Sequence, residues 1–106
     1  MSNKGDVSYM VSITYNFNHA LMEKHGITAD DLLASIRHVT KEAGGIREVS
    51  EGHFETDGED ALRLIYFAMD DLKANRRNLP FLQTVMSDVD GEMADCKDAF
   101  LHFKVR

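Results

Sequence analysis

Residues 7–17 alternate cleanly. Val7, Tyr9, Val11, Ile13, Tyr15 and Phe17 fall on one side, and Ser8, Met10, Ser12, Thr14 and Asn16 on the other. Period two with β-branched and aromatic residues on one face predicts a half-buried strand. Residues 18–26 form a polar connector with room for one helical turn over 20–24. Residues 29–43 then repeat at helical spacing, with Leu32, Leu33, Ile36, Val39 and Ala43 on one stripe. Thr28 is suited to cap this helix, and Asp30 and Asp31 sit at the positive end of its dipole. Ile27 and Leu32 are spaced as a hydrophobic staple, and Gly44-Gly45 supplies the stop.

Residues 46–55 alternate poorly and contain Gly52, which predicts an edge strand with a bulge. Asp57-Gly58 is a hairpin signal, so residues 61–69 (ALRLIYFAM) are expected to return as a strand. Leu62, Ile65, Met69 and Leu72 also fit a helical stripe, and a helix is the alternative for that run. Residues 70–78, with Arg76-Arg77, form a loop or an extra helical turn. Pro80 suits the first turn of a helix. Phe81, Leu82, Val85, Met86 and Val89 follow at core-facing spacing, with Gly91 as terminator. Ala99, Leu101, Phe103 and Val105 alternate with Phe100, His102, Lys104 and Arg106, predicting a last strand.

The order is therefore β-α-β-β-α-β. It corresponds to an α+β, two-layer split βαβ (ferredoxin-like) antiparallel sheet with two helices on one face, in a single domain over residues 1–106. Residues 61–69 would be a central strand apolar on both faces, which is unusual for a sheet with one wet side. A second copy of the chain is the simplest cover, so a homodimer is expected, with Ile65, Phe67 and Phe100 on the dimer face.

Composition narrows the function classes. The net charge of −6 argues against general nucleic-acid binding, which needs clustered Lys and Arg. The acidic residues gather in two stretches. Glu48, Glu51, Glu55, Asp57, Glu59 and Asp60 crowd one, and Asp88, Asp90, Glu92, Asp95 and Asp98 the other. If the two stretches lie side by side, they form an acidic face for a basic partner. The longest apolar run, residues 64–69, is far short of the ~20 residues of a membrane helix. The opening residues lack the apolar stretch of a signal peptide. One cysteine, Cys96, gives no internal disulfide, and a reducing, cytoplasmic setting is expected.

Specific chemistry is sparse. His19, His25, His38, His53 and His102 form neither an i, i+4 helical pair nor a Cys/His metal spacing, so no metal is expected. With Gly91 at the sixth position of a calcium loop, the first and twelfth ligands would be Met86 and Lys97, and the match fails. No phosphate-cradling glycine loop or Gly-x-Ser-x-Gly is present, and no cofactor is expected. Arg37 and His38, or Arg76-Arg77, are the candidates for holding a phosphodiester, with a histidine as general base.

The tyrosine-led first strand, Tyr9-Met10-Val11-Ser12-Ile13-Thr14-Tyr15, and Arg37 near the middle of the first long helix resemble the GhoS-type antitoxins. These are free-standing ferredoxin-like proteins of similar length that cleave the messenger of their toxin. The resemblance implies a metal-free endoribonuclease using Arg37 with a nearby histidine. The residues themselves favour a small acidic regulatory protein of bacterial type, an inhibitor or adaptor acting by protein contact without catalysis. A small-molecule sensor at a dimer interface is a third class.

Overall fold

The computed structural model describes residues 9–104. Strand β1 (Tyr9–Phe17) forms as its alternation dictates. Val11, Ile13 and Tyr15 are buried, Met10 and Asn16 are exposed, and Ser12 and Thr14 are half-buried. Val7 lies outside the described residues. β1 is the middle strand of a five-stranded antiparallel sheet that also contains β2 (Arg47–Ser50), β3 (His53–Gly58), β4 (Leu82–Val89) and β5 (Glu92–Asp95), in the order β2-β3-β1-β4-β5. The helices are α1 (His19–His25), α2 (Ala29–Ala43), α3 (Arg63–Ala74) and α4 (Cys96–Lys104), with a 3₁₀ segment at Arg76–Phe81. Leu32, Leu33 and Ile36 of α2, Leu64, Ala68 and Leu72 of α3, and Cys96 and Phe100 of α4 share one core with the buried side of β1. Among the described residues, no helix is long and apolar enough to cross a membrane.

α2 begins and ends where its local signals place it. Thr28 Oγ1 accepts the Asp31 N–H (3.1 Å), and Asp31 Oδ2 accepts the Thr28 N–H (2.9 Å), a closed capping box. The connector before it holds more helix than expected. Asn18 caps α1 by accepting the Leu21 N–H (3.1 Å), and Gly26 closes it in the left-handed conformation.

Residues 46–55 are not one bulged strand. The chain turns at Glu51-Gly52, so β2 is a short edge strand and β3 lies inside the sheet between β2 and β1. Asp57-Gly58 is therefore the end of β3 and not a hairpin turn. Gly52 has φ +82°, and a Cβ there would lie 3.1 Å from the Tyr15 carbonyl oxygen. Its own carbonyl accepts the Tyr15 N–H at 2.8 Å, so the turn has little freedom to retreat. Gly52→Ala is expected to lower stability by about 1 kcal/mol or more, read from urea unfolding.

The run at residues 61–69 turns into a helix at Arg63, which overturns the expected third strand. Ala, Leu, Arg and Met, all strong helix formers, supply most of it, and only Ile65 is β-branched. Leu64, Ala68, Asp71 and Leu72 are buried at i, i+4, i+7 and i+8. Arg63, the polar residue in the run, donates through Nη2 to the Gly44 carbonyl (2.5 Å) and so satisfies the end of α2.

Residues 82–89 are a strand, which overturns the expected second helix. Phe17 pairs with Leu82 and Asn16 with Thr84, so Gln83 is an extra residue on β4. That bulge puts both Leu82 and Val85 on the buried side and imitates the i, i+3 spacing of a helix. Pro80 belongs to the preceding 3₁₀ segment. Asp90-Gly91 turns β4 into β5 and terminates no helix.

The expected last strand is α4. Asp95 Oδ1 accepts the Lys97 N–H (3.0 Å) at its start, and Cys96 and Phe100 are buried one turn apart. Val105 lies outside the described residues. Among the described residues the result is an α+β architecture with five strands and four α-helices, where four strands and two helices were expected. The reason for a second copy disappears with the third strand. Ile65 and Phe67 lie half-buried on α3 against the core, and Phe100 is buried on α4. None of the three lies on a sheet face.

Candidate functional site

The face of the sheet turned away from the core is polar, acidic and studded with methionine. Register assigns its rows. Ser12 of β1 lies between Glu55 of β3 and Asp88 of β4, and Met10 stands opposite Asp57. Met10 also donates its N–H to Asp90 Oδ1 (2.9 Å) and accepts the Asp90 N–H (2.9 Å). Asp88 is paired in turn with Met93 of β5. Carboxylates from both acidic stretches thus flank a single strand, with Met10 (56% exposed) and Met93 (63% exposed) among them. Arg47, opposite Glu55 on β2, contributes a cation at 3.6 Å.

The other expected partner residues divide. Glu59 and Asp60 are exposed just beyond β3, and Glu51 is exposed at the tip of the β2–β3 hairpin. Glu48 faces α2 instead. It accepts from Arg37 Nε (2.8 Å) and Nη2 (3.0 Å) and from the Gly52 N–H (3.0 Å).

Farther along the same face, the rows change character. Thr14 lies between His53 and Met86, and Asn16 Nδ2 donates to Thr84 Oγ1 (2.7 Å). His53 has both ring nitrogens engaged, Nδ1 with Thr14 Oγ1 (2.6 Å) and Nε2 with Glu55 Oε2 (3.2 Å). Beside it is a polar depression of about 390 Å³ whose walls include Thr14, Asn16, His19, Ser50 and His53. Hydroxyl, imidazole and carboxylate stand in the sequence of a nucleophilic triad. An acyl-transfer site also needs donors aimed at the developing oxyanion. β1 is paired along both edges, so its N–H groups are committed to the sheet. The chain of contacts therefore fixes the orientation of a polar rim. His53 and Glu55 two residues apart on a strand were the sequence signal for it, and Thr14 joins them only through register.

Arg37, singled out for phosphodiester chemistry, is occupied. Besides Glu48 it donates Nη1 to Asp30 (2.8 Å). The clamp raises the arginine's pKa further and lowers that of Glu48. His38 is exposed on α2, with Nε2 3.7 Å from Glu42. Arg76 and Arg77 are exposed on the 3₁₀ segment. Among the described residues, no three of His, Cys, Asp or Glu converge in a metal-binding arrangement.

A second polar centre, invisible in the sequence, lies in the helical layer. The Tyr15 hydroxyl donates to Asp71 Oδ2 (2.8 Å), and Asn75 Nδ2 donates to Asp71 Oδ1 (3.0 Å). Burial holds the Asp71 carboxyl above its ordinary range against these bonds. No protein-family model, curated protein or solved structure matches the chain.

Proposed function

We propose that this chain is a small binding or regulatory protein that holds a basic protein partner on the open face of its sheet. The observation that carries this reading is the convergence of two acidic stretches, about 30 residues apart in sequence, on the two sides of β1. Carboxylates with few local counter-charges attract a Lys- and Arg-rich surface and steer its approach. Flexible methionines among them adapt to the apolar parts of such a surface. The clamp on Arg37 favours binding over phosphodiester cleavage. In architecture, β1, α2, β2, β3, α3 and β4 trace a split βαβ path, to which α1, β5 and α4 are additions. The reading includes a reducing, cytoplasmic setting, in which the Cys96 thiol stays buried.

The test is titration of an amphipathic Lys/Leu peptide into the protein at several salt concentrations. Affinity is expected to fall as salt rises. Asp57→Lys with Asp88→Lys is expected to weaken binding by about tenfold or more, while Glu42→Lys, on the exposed side of α2, leaves it unchanged. Binding that ignores salt, or that survives the double reversal, would overturn the proposal.

A further inference from the structure

The helical layer holds a cleft of about 240 Å³ between α2 and α3, on the opposite side of the sheet from the acidic face. Val39, Phe67 and Ala74 give it apolar walls, and Ser35, Asp70 and Asp71 border it. Asp71 is 6% exposed. Its carboxylate is held by the Tyr15 hydroxyl and the Asn75 amide, both neutral donors. None of the ion pairs among the described residues includes it.

A carboxylate removed from water is costly unless a cation compensates it, and neutral hydrogen bonds repay only part of that cost. Here the missing charge coincides with an open, mostly apolar space. A ligand that suits both carries a positive head for Asp71 and a short hydrocarbon body for Val39, Phe67 and Ala74. Asp70, exposed at the rim, adds a second negative charge. The volume equals about eight waters at roughly 30 Å³ each, room for roughly six to eight non-hydrogen atoms. The Phe67 ring supplies an apolar wall that also tolerates a cation.

We propose that this cleft binds a small alkylammonium ligand, with its ammonium paired to Asp71 and its hydrocarbon chain against Val39, Phe67 and Ala74. The site is separate from the acidic sheet face, so its test stands or falls without reference to the partner-binding proposal.

The experiment follows backbone amide NMR shifts during titration with n-butylamine, 1,4-diaminobutane and, as a neutral isostere, n-butanol. Saturable shifts at Ser35, Val39, Asp71 and Ala74 are expected with the amines, with n-butanol about tenfold weaker or worse. Asp71→Asn removes the charge and abolishes the preference for amine over alcohol. Ala74→Leu fills the cleft from its exposed rim, keeps the carboxylate, and weakens amine binding by about tenfold. If Asp71→Asn does not fold, Ala74→Leu decides alone. Absence of saturation with either amine, equal response to n-butanol, or unchanged binding in Ala74→Leu overturns the site.

Discussion

Leu64→Ala is expected to lower the unfolding free energy by about 2–5 kcal/mol, whereas Tyr66→Ala changes it by no more than about 0.5 kcal/mol. In a strand, residues 64 and 66 would share a face and suffer together. On α3 they diverge by about 200° around the helix. Leu64 is fully buried against the sheet, while Tyr66 is 68% exposed. Removing the Leu64 side chain leaves a cavity that the sheet on one side and neighbouring helices on the other cannot fully collapse into. Urea unfolding followed by circular dichroism measures both variants. Comparable losses at the two positions would contradict the helical assignment of this run and the packing built on it.

The parts of the fold legible in the sequence are those whose signals are local. β1 alternates because one side meets the core and the other stays wetter. α2 carries its capping box and its glycine stop within its own residues. The misread elements each depend on a partner. β4 buries Leu82 and Val85 three apart because Gln83 bulges opposite Asn16 and Phe17, so its periodicity cannot be interpreted without β1. α3 shows apolar residues on several sides because Ile65, Phe67 and Met69 flank the buried stripe and pack at its margins. In α4, the alternation of Leu101 with Phe100 and His102 imitates a strand, although Cys96 and Phe100 form the buried pair.

The candidate site divides in the same way. Its acidic stretches are plain in the composition, yet their adjacency exists only through the register of β3 and β4 on β1. Glu48 looked equivalent to Glu55 along the chain, but α2 captures it through Arg37. Tyr15 and Asp71, 56 positions apart, carry no shared signal at all. Tyr15 reads from its strand as a packing residue, and its hydroxyl acquires a role only when α3 places a carboxylate above it.

That hydroxyl has a measurable consequence. Tyr15→Phe is expected to cost about 2–3 kcal/mol near neutral pH, because it withdraws a donor from a buried carboxylate without providing water in its place. The pH dependence of Asp71 identifies the cause. Its folded-state pKa is raised above the ordinary 3.8, chiefly by burial, so the folded chain holds that proton more tightly than the unfolded chain does. The resulting stabilisation is complete below 3.8 and is lost as pH climbs through the raised value. Asp71→Asn does not titrate, so it gains on the wild-type chain as pH rises above 3.8. Glu48 works in the opposite sense. Arg37 lowers its pKa below the ordinary 4.5, so its contribution is present above 4.5 and lost on acidification. Glu48→Gln is therefore expected to lag behind the wild type increasingly as pH rises towards and past 4.5. Urea unfolding of the three proteins from about pH 3 to about pH 8 gives two difference curves of opposite slope. A flat Asp71→Asn difference curve would mean that Asp71 has the same proton affinity folded and unfolded. The carboxylate would then be effectively solvated, and burial would not be what sets its proton affinity.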